Sequence, residues 1–153
     1  MKTIIILGST GSIGTNTLDI VRRFPEEFRV AGLTAGNNVE KLEEQIRTFK
    51  PRVVALSNEA AAAALRQRCA DMRVNILSGE DGIVQVATLP EAELVISAIV
   101  GAAGLVPTLA AIRAGKHIAL ANKEPMVMAG KLMQTEAHAH GVKIFPVDSE
   151  HSA

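Results

Sequence analysis

Short, almost wholly apolar runs alternate along the chain with longer segments in which apolar residues recur every three or four positions. The apolar runs predict strands at Thr3 to Leu7, Arg29 to Thr34, Val53 to Leu56, Val74 to Leu77, Leu94 to Ala98, His117 to Ala121 and Lys143 to Val147. Several are nearly all apolar instead of alternating, as expected for strands covered on both faces. Strict alternation with helices predicts right-handed crossovers and a doubly wound, mostly parallel α/β sheet of about seven strands.

The intervening segments predict helices on both faces of this sheet. In the first, one face carries Ile13, Thr17, Ile20, Val21 and Phe24, and Pro25 ends the helix. In the second, Asn38 is a candidate cap, and the buried stripe consists of Val39, Leu42, Ile46 and Phe49. Further helices are predicted over Glu59 to Cys69, about Asp81 to Thr88, Leu105 to Ala114 and Met126 to His140.

Composition narrows the class of protein. The 153 residues fit one domain, and 48% are hydrophobic with only four aromatics, so aliphatic side chains form the core. Lys plus Arg and Asp plus Glu are 16 each, which argues against nucleic acid as a partner. The single cysteine, Cys69, excludes an intrachain disulfide, and its helical position predicts a small core residue. The apolar run after Met1 is too short for a signal peptide or a membrane span, so we expect a soluble, cytoplasmic protein.

A glycine loop, Gly8-Ser9-Thr10-Gly11-Ser12-Ile13-Gly14, joins the first strand to the first helix. In a dinucleotide-binding (Rossmann-like) fold Gly8 permits the tight turn, Gly11 lets backbone approach a pyrophosphate, and Gly14 lets the helix pack close to the sheet. The spacing is G-x-x-G-x-x-G, so a glycine-rich turn that binds nothing is the alternative.

The end of the second strand bears on the choice of cofactor. No Asp or Glu stands at Ala35-Gly36-Asn37-Asn38 to hold ribose hydroxyls, which favours NADP over NAD. Neither Arg nor Lys waits there for a 2′-phosphate, so Asn side chains and backbone N–H groups would have to bind it. The alternative is a turn followed by a helix cap.

Three later segments are candidates for chemistry. Small residues at Ile99 to Gly104 either admit a ligand against backbone or permit tight packing. Asn122 and Lys123 follow a buried strand and can bind an amide and an anionic or carbonyl oxygen, or else form a cap and a solvated pair. Asp148 and Glu150 point the same way from an extended segment, which is half of a Mg²⁺ or Mn²⁺ site or a frayed polar terminus.

Five motifs, in their order along the chain, resemble those of the 1-deoxy-D-xylulose 5-phosphate reductoisomerase family, and the resemblance covers essentially the whole chain. They are Gly8 to Gly14, Ala98 to Leu105, Leu109 to Lys116, Leu120 to Glu124 and Pro146 to His151. The resemblance implies an NADPH-dependent oxidoreductase of the methylerythritol phosphate route to isoprenoids, which rearranges and reduces a sugar phosphate with the help of a divalent cation.

The resemblance also implies roles for individual residues. Contacts with NADPH fall to Thr10, Gly11, Ser12 and Ile13 at the pyrophosphate, to Gly36, Asn37 and Asn38 near the 2′-phosphate, and to Asn122 and Glu124. Contacts with substrate fall to Lys123, Ser149 and Glu150, and the metal ligands are Asp148 and Glu150. Many members have a basic residue in place of Asn37 and Ser in place of Pro125.

Length is the largest departure from the family. Members continue with a further metal carboxylate, a phosphate-binding cluster, a lid and a C-terminal helical domain, and they form homodimers. The resemblance therefore implies that residues 1–153 are the NADPH-binding domain, ending where the metal and substrate region begins, and that alone they lack turnover.

Two other functions stay open on this sequence. One is another NADP enzyme, such as a semialdehyde dehydrogenase, which would need Cys69 as nucleophile. The other is a non-catalytic module that senses NADP(H).

Overall fold

Strands and helices alternate along the part of the chain that the computed structural model describes, residues 1–121 and 124–147, with backbone alone for 124–128. The strands are β1 Lys2–Leu7, β2 Phe28–Ala35, β3 Val53–Leu56, β4 Asn75–Ser78, β5 Leu94–Ser97, β6 His117–Leu120 and β7 Ile144–Pro146. The helices are α1 Ser12–Arg23, α2 Val39–Phe49, α3 Glu59–Arg68, α4 Gly79–Ala87, α5 Leu105–Arg113 and α6 Glu124–Ala139, and a short 3₁₀ turn covers Ala102–Gly104.

Every predicted element is present, with bounds that differ by at most two residues. The strand Val53–Leu56 has the predicted bounds, whereas α4 begins at Gly79, two residues before Asp81. The last helix begins at Glu124 and is interrupted at Ala129, where φ is −143° and ψ is 31°. Such boundary shifts arise because helix ends depend on local capping geometry as well as on periodicity.

The seven strands form one parallel sheet in the order β4-β3-β2-β1-β5-β6-β7. From β1 the chain first builds outward through β2, β3 and β4, and then returns to place β5 on the other side of β1. The predicted doubly wound sheet is therefore confirmed. The order reverses between β1 and β5, and ligands of such sheets bind at the carboxyl end of this switch point.

Two apolar layers cover the sheet. Side chains of alternate residues in β1 point to opposite faces, so Ile4 and Ile6 belong to one core and Ile5 and Leu7 to the other. The first core packs under α1, α2 and α3, and the second under α4, α5 and α6. This double coverage explains why the central strands are mostly apolar instead of alternating.

The face of α1 that meets the sheet differs from the prediction. Gly14, Leu18 and Val21 are buried, whereas Ile20 is 51% exposed and Phe24 is 48% exposed. The helix is turned because its closest approach to the loop after β1 is made by the one residue without a side chain, Gly14. The stripe of α2 is confirmed: Leu42 and Ile46 are buried, and the two residues at its ends pack against the same core.

A buried lysine holds two loops together at the opposite, amino-end edge of the sheet. Lys116 is 5% exposed, and its Nζ donates to the carbonyl oxygens of Leu89 at 2.6 Å and Ala92 at 2.7 Å. Desolvation lowers the pKa of this ammonium group. The contact fixes the start of β6 against the turn that precedes β5.

A network of exposed ion pairs joins α2 to α3. Glu43 accepts from Arg47 at 3.1 Å and from Arg68 at 2.7 Å, and Arg47 also reaches Asp71 at 3.0 Å. The two guanidinium groups lower the pKa of the Glu43 carboxyl, with Arg68 the larger cause.

In the described residues, no helix combines the length and apolarity that crossing a membrane requires.

Candidate functional site

A cleft opens at the carboxyl edge of the sheet, where the strand order reverses. Its volume is about 340 Å³, near the lower end of the range for small-molecule sites. The lining comes from the loops after β1, β2, β3 and β5 and from α4, and it consists of Gly8, Thr10, Gly11, Thr34, Ala35, Gly36, Ser57, Ile83, Ala98, Ile99, Val100 and Ala103. Five separate segments therefore converge on one site.

Gly8 makes the turn that brings the glycine loop over the sheet. Its φ is +81°, in the left-handed region, and a Cβ at this position would lie 2.7 Å from the Ala98 carbonyl oxygen. The N–H groups of Gly8 and Ser9 donate to the Thr34 carbonyl oxygen at 3.1 and 2.8 Å, and the Gly8 N–H also lies 3.0 Å from the Thr34 hydroxyl. These bonds tie the loop to β2, and Gly8 packs against the first residue after β5.

Gly14 and Gly11 have different tasks in this loop. A Cβ at Gly14 would lie 2.4 Å from the Gly8 carbonyl oxygen and 2.6 Å from Ser9 Cα, so only glycine allows α1 to approach this closely. At Gly11 the nearest atom would be 3.9 Å away, which leaves the backbone open to a ligand. The helix-packing part of the glycine fingerprint is therefore present in the structure.

The amino end of α1 is an open set of donors. Gly11 caps the helix without a side-chain hydrogen bond, whereas Asn side chains cap α2 and α3. Within the described residues, the N–H groups of Thr10, Gly11, Ser12 and Ile13 donate to no protein acceptor. Together with the helix dipole, these donors suit an anionic group such as a phosphate.

A buried polar pair that the sequence interpretation missed supports the loop from below. The Ser9 hydroxyl donates to Gln45 Oε1 at 2.7 Å, and Gln45 Nε2 donates to the Ser9 carbonyl oxygen at 2.9 Å. Both residues are buried. The sequence does contain an indication of this pair, because a glutamine inside the apolar stripe of α2 requires a buried hydrogen-bond partner.

The turn after β2 contains a helix cap and forms part of the cleft wall. Asn38 caps α2, since its Oδ1 accepts from the Lys41 N–H at 3.2 Å. Gly36 lines the cleft, and no carboxylate occurs among the lining residues that the structure describes. The same turn therefore caps α2 and lines the cleft, and none of the described lining residues carries a negative charge that would repel a 2′-phosphate.

The loop after β5 forms the opposite wall. Ala98 lies against Gly8, and its N–H donates to the Leu7 carbonyl oxygen at 2.8 Å. At the strand end, the buried hydroxyls of Ser97 and Thr108 are 2.8 Å apart and tie β5 to α5. Val100, in contrast, is 85% exposed at the cleft. The small residues thus serve tight packing at the base of the loop, and its tip leaves apolar surface at the cleft.

Other predicted site residues lie outside the described part of the chain. These are Asn122, Lys123, Asp148, Ser149 and Glu150, and for Glu124 only the backbone is described. Among the residues that are described, no group of three His, Cys, Asp or Glu side chains could hold a metal ion. The metal and substrate assignments therefore remain predictions.

Cys69 does not belong to this site. It is 3% exposed in the core under α3, and burial raises the pKa of its thiol. It follows the end of α3, which runs back toward the amino edge of the sheet, away from the cleft. A cysteine nucleophile at the cofactor is therefore excluded for this residue, and the core position predicted from the sequence is confirmed.

Comparison with known proteins identifies relatives along the whole chain. A sequence model described as 1-deoxy-D-xylulose 5-phosphate reductoisomerase matches residues 4–130. Enzymes of that name from Geotalea uraniireducens and Anaeromyxobacter sp. are 56% and 57% identical over 153 residues. The match covers 100% of this chain but 40% and 39% of those proteins.

Solved structures give the same result for the fold. A DOX-P reductoisomerase crystallised with NADPH, fosmidomycin and magnesium is 44% identical, with a TM-score of 0.94 over 100% of this chain and 38% of that one. The enzyme from Zymomonas mobilis in complex with NADPH is 40% identical, with a TM-score of 0.93 over 99% of this chain and 40% of that one. A putative homoserine dehydrogenase from Archaeoglobus fulgidus, 21% identical with a TM-score of 0.62, shares the fold alone.

The chain spans about 40% of the length of the curated relatives that it matches. The family match nevertheless includes the glycine loop, the turn after β2 and the loop after β5, which together form the cleft. On this evidence, the chain belongs to the 1-deoxy-D-xylulose 5-phosphate reductoisomerase family.

Proposed function

We propose that this chain is the NADPH-binding portion of an enzyme that converts 1-deoxy-D-xylulose 5-phosphate into 2-C-methyl-D-erythritol 4-phosphate, a step of non-mevalonate isoprenoid biosynthesis. The observation that carries the proposal is the glycine loop at the switch point, where Gly14 packs on Gly8 and four N–H groups have no acceptor among the described residues. A chain of this family with that geometry is fitted to bind a dinucleotide.

The cleft suits NADPH because the backbone of the glycine loop is open to a ligand there. The pyrophosphate would lie against Thr10, Gly11, Ser12 and Ile13, where a Cβ at Gly11 would meet nothing closer than 3.9 Å. The 2′-phosphate would lie near Gly36, Asn37 and Asn38. Capping uses the oxygen of the Asn38 amide and leaves its NH₂ group as a donor.

The substrate end of the site is proposed to lie beyond β6 and β7. The N–H of Ala121 donates to the Ser97 carbonyl oxygen at 2.9 Å, and that of Val147 to the Leu120 carbonyl oxygen at 2.9 Å. The chain therefore leaves both strands at the same edge as the cleft, immediately before Asn122 and before Asp148. This placement supports roles for both segments next to the cofactor.

Within those segments we assign residues by their chemistry. Asp148 and Glu150 offer hard carboxylate oxygens, which suit Mg²⁺ or Mn²⁺, although two carboxylates need further ligands. Lys123 and Ser149 would bind the sugar phosphate together with Glu150, and Asn122 and Glu124 would contact the cofactor. When bound, NADPH supplies hydride for the reduction, and the cation polarises substrate oxygens during rearrangement.

The relatives are about two and a half times as long as this chain, and their names refer to the whole enzyme. We therefore propose that residues 1–153 are the cofactor-binding domain, that the complete protein is a homodimer, and that these residues alone bind NADPH without turnover. Production of 2-C-methyl-D-erythritol 4-phosphate by the 153-residue chain would contradict the last point.

Calorimetric titration with NADPH and, separately, NADH tests cofactor binding. We expect saturable binding that favours NADPH, because the cleft wall carries no carboxylate for the free ribose hydroxyls of NADH. Circular dichroism of the same sample reports the fold. A folded protein that binds neither nucleotide would refute the proposed site.

Mn²⁺ binding, followed by electron paramagnetic resonance, tests the metal assignment. We expect the double variant Asp148→Ala/Glu150→Ala to bind Mn²⁺ more weakly than the wild type. The control Glu26→Ala/Glu27→Ala removes two carboxylates from the opposite, amino-end edge of the sheet and should leave binding unchanged. Equal Mn²⁺ affinity in all three proteins would favour a nucleotide sensor over a metal-dependent enzyme.

A further inference from the structure

Ser57 lines the cleft but has no part in the glycine fingerprint. It is the first residue after β3, and its N–H donates to the Ala35 carbonyl oxygen at 3.1 Å. Its hydroxyl donates to the Gly36 carbonyl oxygen at 3.2 Å. Because a carbonyl can only accept, the one hydroxyl proton is committed to Gly36, and Oγ is left with acceptor lone pairs.

The hydrogen bond to Gly36 determines which kind of ligand group the Ser57 hydroxyl can bind. A phosphate or a carboxylate needs a donor, so neither can use this hydroxyl without breaking its bond to Gly36. An amino group can donate to Oγ while that bond stays in place. The structure thus presents a hydrogen-bond acceptor in a cleft whose described lining residues include no carboxylate.

The surroundings suit a flat, apolar-faced ring. Ile83 of α4 and the exposed Val100 line the same cleft as Ser57. A Cβ at Gly36 would have only the Ser57 hydroxyl within 4 Å, at 3.8 Å, so the space above this glycine is open. A heterocycle with an amino group on its edge could pack against the apolar side chains and donate a hydrogen bond to Ser57 Oγ.

We propose that Ser57 recognises the 6-amino group of the adenine ring and thereby selects an adenine dinucleotide over its hypoxanthine analogue. The proposal rests on the proposed function, since it concerns the same NADPH site. In the hypoxanthine analogue a carbonyl oxygen replaces the amino group. That oxygen would face the lone pairs of Oγ and could not donate to them.

Calorimetric titration of the wild-type chain with NADPH and with nicotinamide hypoxanthine dinucleotide phosphate tests this assignment. We expect NADPH to bind about two- to tenfold more tightly, the value of one neutral hydrogen bond. Ser57→Ala should bind both nucleotides with equal affinity. The control Ser78→Ala, which removes a hydroxyl from the neighbouring strand end outside the cleft lining, should keep the wild-type ratio.

The possible failures are distinguishable. Tight NADPH binding with no preference over the hypoxanthine analogue would overturn the role of Ser57 and leave the proposed function intact. A preference for NADPH over the hypoxanthine analogue that persists in folded Ser57→Ala would also overturn the role of Ser57 and leave the proposed function intact. If a folded wild-type chain binds neither nucleotide, the cofactor site itself is refuted, and the role of Ser57 with it. Thermal denaturation of each variant verifies that it is folded.

Discussion

The contact between Gly14 and the loop after β1 gives the sharpest test of the site geometry. Gly14→Ala adds one methyl group that would lie 2.4 Å from the Gly8 carbonyl oxygen, 2.6 Å from Ser9 Cα and 2.8 Å from the Ser9 carbonyl carbon. All three atoms are backbone, so no side chain can turn away. Ordinary contact begins at 3.4 Å, and α1 would therefore have to move about 1 Å from the loop.

The expected cost follows from two opposing effects. Overpacking a well-packed contact destabilises a protein by about 1–3 kcal/mol, and a clash with rigid backbone belongs at the upper end. Alanine is favoured over glycine within a helix by about 1 kcal/mol, which offsets part of the loss. We expect a net loss of about 2 kcal/mol in the free energy of unfolding, or roughly 4–8 °C in Tm for a chain of this size.

Urea denaturation followed by circular dichroism measures this loss, with Gly11→Ala as the matched control. Gly11 has a φ of −78° and a ψ of 178°, which alanine adopts readily, and its Cβ would meet nothing closer than 3.9 Å. The control should keep its stability but bind NADPH more weakly, because its methyl group would occupy the phosphate side of the loop. Wild-type stability in Gly14→Ala would refute the close approach of α1.

Three further predictions concern groups outside the cleft. Lys116→Met leaves the Ala92 carbonyl oxygen without its Nζ donor and the Leu89 carbonyl oxygen with the Ala92 N–H alone, so we expect a loss of about 1–3 kcal/mol at neutral pH by urea denaturation. Because the folded pKa of Lys116 is lowered, wild-type stability should rise with pH as it approaches the ordinary lysine value of 10.5, and Lys116→Met should lack this rise. Glu43 has a lowered folded pKa, so its contribution to stability is present above the ordinary carboxyl value of 4.5 and is lost as the pH falls below it. The stability of Glu43→Gln should therefore decline less steeply in acid than that of the wild type. Identical urea midpoints of the two proteins across this pH range would contradict the role of the ion pairs. Cys69 should react with a thiol reagent only after denaturation, and rapid native labelling that NADPH blocks would return this residue to the active site.

Some features could be predicted because they depend on local patterns. The cap of α2 by Asn38 needs only one short-range hydrogen bond, and the structure contains it. The face of α1 could not be predicted from periodicity alone. The segment has two apolar stripes, and the choice between them depends on Gly14 meeting Gly8, a contact that exists only once the loop has folded.

The order of strands and helices, the doubly wound class and the position of the glycine loop could all be predicted from the sequence. These follow from the spacing of apolar residues and from glycine's lack of a side chain, which are properties of short segments. Three contacts became visible only in the folded chain: β5 lies beside β1, Gln45 supports Ser9, and the Ser57 hydroxyl bonds to Gly36. Each of these pairs joins residues more than twenty positions apart, or, for β1 and β5, about ninety. Such contacts form only when the parallel strands align their carboxyl ends at one edge, which no local pattern specifies.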